Sequence, residues 1–188
     1  MNKIRTIMPA ALLSDGRRNG EYMISLKISP VKGFMSALLS KNVFDNFWFS
    51  EGEIETFGKF TISGALNHDF YSTDEWEALD GRRYATWAEI RPYVYQIIRG
   101  YKTPLSFRLV LMLSAENAAK VLKRSGALFT PEQVGGFFLN IRFERGEVHL
   151  ITGLSMKVFT LDKTLEHAWD LDMRTFLKLQ EIPAELES

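Results

Sequence analysis

Two stretches decide the reading of this chain: Met23-Ile-Ser-Leu-Lys-Ile-Ser29 and Phe107-Arg-Leu-Val-Leu-Met-Leu113-Ser114. In the first, Ile24, Leu26 and Ile28 alternate with Ser25 and Lys27, the period of a strand buried on one face. In the second, Phe107, Leu109, Leu111 and Leu113 line one face while Val110 and Met112 keep the other apolar, so this strand belongs in the middle of a sheet. Each strand runs into a serine that can cap a helix. After Ser29-Pro30, Val31, Phe34, Met35, Leu38 and Leu39 recur at helical spacing, with Ser29 read as cap and Pro30 as the first helical residue. After Ser114, Ala115, Ala118, Ala119 and Leu122 do the same.

Working outward, the elements that follow also match. Ile54 and Thr56, then Phe60 and Ile62, predict two strands, and Ala65 to Tyr71 a third. Phe137 to Phe143 alternates as a strand, turns at Arg145-Gly146 and returns over Val148 to Thr152, and Lys157 to Leu161 is read as a third. Thr130-Pro-Glu-Gln133 has the pattern of a single capped turn. Ser72 to Arg83 is polar and reads as an exposed loop. Thr86-Trp-Ala-Glu89 has capping-box spacing and opens a helix to Gly100, with a kink at Pro92, or a short turn before the main helix, expected. Leu165, Trp169, Met173, Phe176 and Leu177 mark the inner face of a last helix, stopped by Pro183.

The chain thus reads as α+β: two β-α-β-β-β-α repeats, residues 22–100 and 105–183, sharing one core in a single unit over 22–183. Ile24, Leu26, Ile28 and Ser29 stand at a constant shift of 85 residues from Leu109, Leu111, Leu113 and Ser114, and Phe44 to Phe129 keeps it. The helix faces prefer a shift one smaller, Leu38 onto Leu122, and Trp87 answers Trp169 in the terminal helices. Residues 1–21 lack periodicity and are read as a leader or an over-long start, with Met23 a plausible beginning.

Composition narrows the function. Acidic and basic residues balance at 23 each, which argues against broad electrostatic attraction to nucleic acid or membrane while leaving room for a local patch. Without cysteine there is no disulfide, thiolate nucleophile or Cys-based zinc site, and a reducing cytoplasm is the expected compartment. No apolar run is long enough to span a bilayer, so no membrane role is expected. The turn glycines form neither a GxGxxG nor a Walker pattern, and Val134-Gly-Gly136 precedes a strand rather than a helix. No cofactor, metal site or catalytic residue is assigned.

Two resemblances follow from quoted segments. Met23-Ile-Ser-Leu-Lys-Ile, Phe60-Thr-Ile-Ser-Gly, Asp69-Phe-Tyr, Thr103-Pro-Leu-Ser-Phe107 and Phe159-Thr-Leu-Asp-Lys-Thr-Leu-Glu-His-Ala-Trp169 resemble a family of bacterial proteins of unknown function, over about Met23 to Pro183. That resemblance implies no activity. Leu113-Ser-Ala-Glu-Asn-Ala-Ala-Lys-Val-Leu122, Leu139-Asn-Ile-Arg-Phe and Val148-His-Leu-Ile-Thr-Gly153 are similar to one repeat of a DNA sliding clamp, which implies strands outside and helices facing DNA. The helices after Trp87 and Trp169 depart from the clamp pattern, and two repeats per chain would need several copies for a ring.

The expected function is therefore a non-enzymatic binding or interaction module, clamp-like, able to self-associate, with a protein or nucleic-acid partner. Lys120, Lys123, Arg124 and Arg174 are the residues placed on a nucleic-acid or partner surface, set against the plainer reading of a solvated helix face. The alternative is an enzyme using His68, Asp69 and Tyr71 with Arg82 or Arg83, since His-Asp pairs serve acid–base chemistry. Leu111 carries the register of the central strand. Leu111→Ala is expected to destabilise by roughly 2–5 kcal/mol in urea titration, and a loss below about 0.5 kcal/mol would place the residue at the surface.

Overall fold

Alternation along the strands produces a seven-stranded antiparallel sheet with helices on one face. The computed structural model describes residues 23–187; the expected leader lies outside them. The strands are β1 (Ser25–Ile28), β2 (Trp48–Glu55), β3 (Lys59–Ser63), β4 (Ser106–Met112), β5 (Val134–Glu144), β6 (Glu147–Met156) and β7 (Ala184–Leu186). Their order across the sheet is β3-β2-β4-β5-β6-β1-β7. The helices are α1 (Val31–Leu39), α2 (Thr73–Ala78), α3 (Trp87–Ile98), α4 (Ala115–Ser125) and α5 (Thr164–Leu179).

The α+β expectation holds, and one hydrophobic cluster draws on both halves of the chain. Leu26 and Ile28 of β1, Phe49 and Ile54 of β2, Phe107, Leu109 and Leu111 of β4, and Leu139 and Ile141 of β5 are all buried in it. Phe34 and Leu38 of α1, Val94 of α3, Val121 of α4 and Met173 of α5 cover them. Both tryptophans of the terminal helices bond to backbone, one to a helix and the other to a strand. Trp87 Nε1 donates to the Leu38 carbonyl at 2.9 Å, and Trp169 Nε1 donates to the Phe138 carbonyl at 3.0 Å. A buried indole N–H without an acceptor is costly, so each bond fixes how its helix sits.

The strand pairing does not repeat between the halves. In the second half β4 pairs with its own β5, whereas β1 pairs with β6 and β7 and never with β2. Neither expected third strand forms. Ala65 makes a single bridge to Tyr84, followed by a short 3-10 turn at His68–Phe70, and the chain after Met156 is irregular. For the second, β6 has no open neighbour, with β5 on one side and β1 on the other; the first, beside the edge strand β3, is instead tied to the segment before α3, where Gly64 accepts from Ala85 and Leu66 donates to Arg83.

Three local expectations also change. The stretch read as an exposed loop contains α2, because Ser72 and Glu75 form a reciprocal capping box. Pro92 does not interrupt α3, which runs unbroken from Trp87. Pro30 is the cap of α1 and Val31 its first residue, one position later than expected. The β5–β6 hairpin follows its sequence: Arg145 and Gly146 take φ of 54° and 82°, the left-handed pair of a two-residue turn.

One close approach locks the bulged end of β2. Gly64 donates to the Ser50 carbonyl at 2.9 Å and accepts from Ala85 at 2.8 Å, tying β2 to the segment before α3. A Cβ on Gly64 would stand 1.7 Å from the Phe49 carbonyl oxygen. Backbone must move to admit any side chain. Gly64→Ala is expected to lower stability by about 3 kcal/mol, read as a fall in the thermal midpoint; an unchanged midpoint would mean that this crossing is not formed.

Candidate functional site on the open sheet face

The residues that alternate with the core point away from the helices, and register brings them into rows across the sheet. Directly opposed residues on neighbouring strands share a face, at about 4.8 Å spacing. Arg108 faces Arg142, Arg142 faces His149, and His149 faces Lys27. Four basic or titratable side chains thus cross the four strands β4, β5, β6 and β1. Glu53 and Glu185 close the row at its ends. On one side lies a row of Glu55, Ser106, Glu144 and Glu147. On the other, Glu51, Val110, Asn140, Ile151 and Ser25 form a mixed row. Beyond it Trp48, Met112, Phe138 and Gly153 form an apolar one.

Opposed like charges repel, and the neighbouring rows supply the compensation. Arg108 pairs with Glu51 at 2.9 Å. Lys27 pairs with Glu147 at 2.5 Å, which holds the Glu147 carboxyl below its ordinary range and the Lys27 ammonium above its own. His149 Nδ1 lies 2.9 Å from Glu187 and its Nε2 lies 3.6 Å from Glu147. Burial pushes the Glu187 carboxyl up, but hydrogen bonds from Ser25 and His149 outweigh it and leave the group below its usual range. Glu53 is taken by Lys59 at 3.1 Å. Arg142, at the centre of the basic row, is exposed and makes no ion pair among the described residues.

A cavity of about 630 Å³ opens on this face. Its charged part sets Glu51, Glu53, Glu55 and Glu144 against Lys59, Arg108 and Arg142; its apolar part includes Met23, Phe138 and Ile151, with Asn140 between them. One N–H of Asn140 donates to the Ile151 carbonyl at 3.4 Å. Val110, Met112 and Phe138 form a second small buried cluster on this side, against Trp48 and Tyr84. Gly153 stands opposite Phe138, and a side chain built on it would be within 4.0 Å of the Met23 sulfur.

The residues expected to matter lie elsewhere. His68 and Asp69 sit in an exposed 3-10 turn with side chains 67% and 95% accessible, and His68 packs its ring edge-on against Trp76. Tyr71 packs against Phe70 and Trp76. Arg83 is exposed. Arg82 is committed to Glu89 through two bonds, at 2.5 and 3.0 Å. His68, Asp69 and Tyr71 do not line the cavity of the sheet face.

On the helix layer Lys120 pairs with Glu116, and Arg124 with Asp172. Lys123 is exposed, with no ion pair among the described residues. Arg174 lines a groove between α5 and β7, together with Lys178 and Leu186. These four residues come from the paired helices α4 and α5 but are not brought into one pocket.

Arg108, Arg142, His149 and Lys27 were not singled out in sequence, although each alternates with core residues. Their alignment depends on register between strands far apart in the chain, a signal absent from local periodicity.

The fold and this face define a two-layer α+β protein whose single antiparallel sheet is covered by helices on one side and open on the other. Residues 37–185 match the family described as "Family of unknown function (DUF5721)", and the chain belongs to that family. No curated protein and no solved structure matches the chain. Among the described residues no helix is long and apolar enough to cross a membrane.

The Arg82–Glu89 pair sets a measurable pH dependence. The Arg82 hydrogen bonds, against some burial and with help from Thr86, hold the Glu89 carboxyl at about 2 instead of 4.5. A depressed carboxylate contributes stability that is present above 4.5 and lost as pH falls toward 2. Glu89 is about half accessible, so solvent screening keeps the contribution to about 1 kcal/mol. Glu89→Gln is expected to lower the urea midpoint at pH 7 and to match wild type near pH 2; a gap that is constant with pH would contradict the pairing.

Proposed function

We propose that this protein is a non-enzymatic, cytoplasmic binding module and that the open sheet face is its binding surface. The observation that carries this reading is the uncompensated Arg142 at the centre of the basic row, inside a cavity of about 630 Å³. That volume falls within the roughly 300–1,000 Å³ of ligand sites. The lining is more charged than is usual for such sites, and its charged and apolar side chains are separated into rows, which suits a ligand with one charged and one apolar part. Rigid placement supports the reading too, because every side chain of the rows stands on a hydrogen-bonded strand rather than on a loop.

The helix layer offers less to a ligand or to DNA. Two of its four expected contact residues, Lys120 and Arg124, already face carboxylates. Neutralising phosphates there would first require breaking those pairs.

The test is a map of amide shifts in the 15N-labelled protein during titration with a panel of small anionic, cationic and neutral amphiphiles. Shifts are expected at Asn140, Ile151 and Gly153, and not at Lys123 or Arg174. Perturbations confined to α4 and α5, or none on the sheet face from any compound, would overturn the assignment of the surface.

A further inference from the structure

The order of the rows names a class of ligand. This step rests on reading the open face as the binding surface. We infer that the face takes an amphipathic monocarboxylate, its carboxylate on Arg142 and its apolar chain laid along the sheet over Ile151 toward Phe138 and Met23.

The charge argument begins with what is already neutralised. Arg108 is held by Glu51, Lys27 by Glu147 and His149 by Glu187. The remaining cation of the row is Arg142, whose planar guanidinium can meet a carboxylate through two parallel hydrogen bonds. Two residues along β5, on the same face, Asn140 spends one N–H on the Ile151 carbonyl and keeps a second for a carboxylate oxygen.

The opposite head group is less well served: Glu51, nearest the apolar wall, and Glu53 are taken by Arg108 and Lys59. Glu55 and Glu144 also line the cavity and carry negative charge. Glu55 accepts from Ser106 at 3.3 Å, and Glu144 has Arg145 at 3.9 Å. Their row lies on the far side of Arg108 and Arg142 from the apolar wall. A cationic amphiphile seated on Glu55 or Glu144 would have to lay its tail across two guanidinium groups. An anionic one reaches Arg142 with its tail already over Ile151.

Length follows from strand geometry. Arg142 and Phe138 are four residues apart on β5, about 13 Å, which matches a chain of roughly ten carbons. Acetate should therefore gain nothing from the apolar wall, while decanoate can use its whole extent.

The experiment uses the full chain and isothermal titration with decanoate, decylammonium, decanol and acetate, each below its micelle-forming concentration. Decanoate is expected to bind about tenfold or more tighter than decanol and decylammonium, with acetate undetected. Arg142→Gln should weaken decanoate about tenfold and leave decanol unchanged; its fold is checked by circular dichroism. Ile151→Glu, which puts a negative charge on the wall, should abolish decanoate binding while Lys123→Gln on α4 leaves it intact.

Equal binding of decylammonium, or decanoate binding untouched by Arg142→Gln, would overturn the ligand class. If other compounds shift Asn140, Ile151 and Gly153 while decanoate does not, the class fails and the binding surface stands. If nothing shifts them, the surface fails with it.

Discussion

Alternation along β4 and β5 ties the core of this protein to its candidate site. A strand cannot bury Phe107, Leu109 and Leu111 on one side without presenting Arg108, Val110 and Met112 on the other. The same holds for Leu139 and Ile141 against Asn140 and Arg142. A slip of one residue would drive two arginines into the helices and these five large apolar groups out of the core, so register is strongly determined. The open face therefore inherits its precision from the core. Its charged groups are held in line because their neighbours are locked in packing.

Such a line has a cost that the structure meets locally. Three side chains in the basic row draw carboxylates from adjacent rows or from the segment at β7, and these pairs are solvated enough to contribute little individually. What they do is remove repulsion between opposed strands. Arg142 is left out of this scheme, and it stands between two neighbours whose charges are already matched. An uncompensated cation at that position is tolerated because it reaches water, and it is the one place in the row where an added anion gains without breaking an existing pair.

The helix side is organised by two indoles. Trp87 ties α3 to the last turn of α1, and Trp169 ties α5 to the backbone of β5. Both bonds are buried and both join elements distant in the chain. They account for why terminal helices that a clamp repeat lacks are integral here: each closes part of the core that would otherwise face water. Thr152, a buried polar residue of β6, continues this pattern by donating to Asp170 of α5 at 2.5 Å and accepting from the Ile24 amide at 3.2 Å. Burial pushes the Asp170 carboxyl above its usual range despite that hydrogen bond.

By itself the sequence determined the local elements. Period-two stretches became β1, β4, β5 and β6, the helical stripes became α1, α3, α4 and α5, and Arg145-Gly146 became the tight hairpin turn, because these depend on residues a few positions apart. Tertiary structure decided the rest. Long-range pairing left both expected third strands unformed, and it separated β1 from β2 while β4 and β5 lie side by side. It left His68, Asp69 and Tyr71 on an exposed turn and divided the basic residues of α4 and α5 among carboxylate partners and open solvent. It also aligned Arg108, Arg142, His149 and Lys27, which span 122 positions of the chain, since opposition across a sheet is set by long-range pairing and burial of the far face, and neither is written in local periodicity.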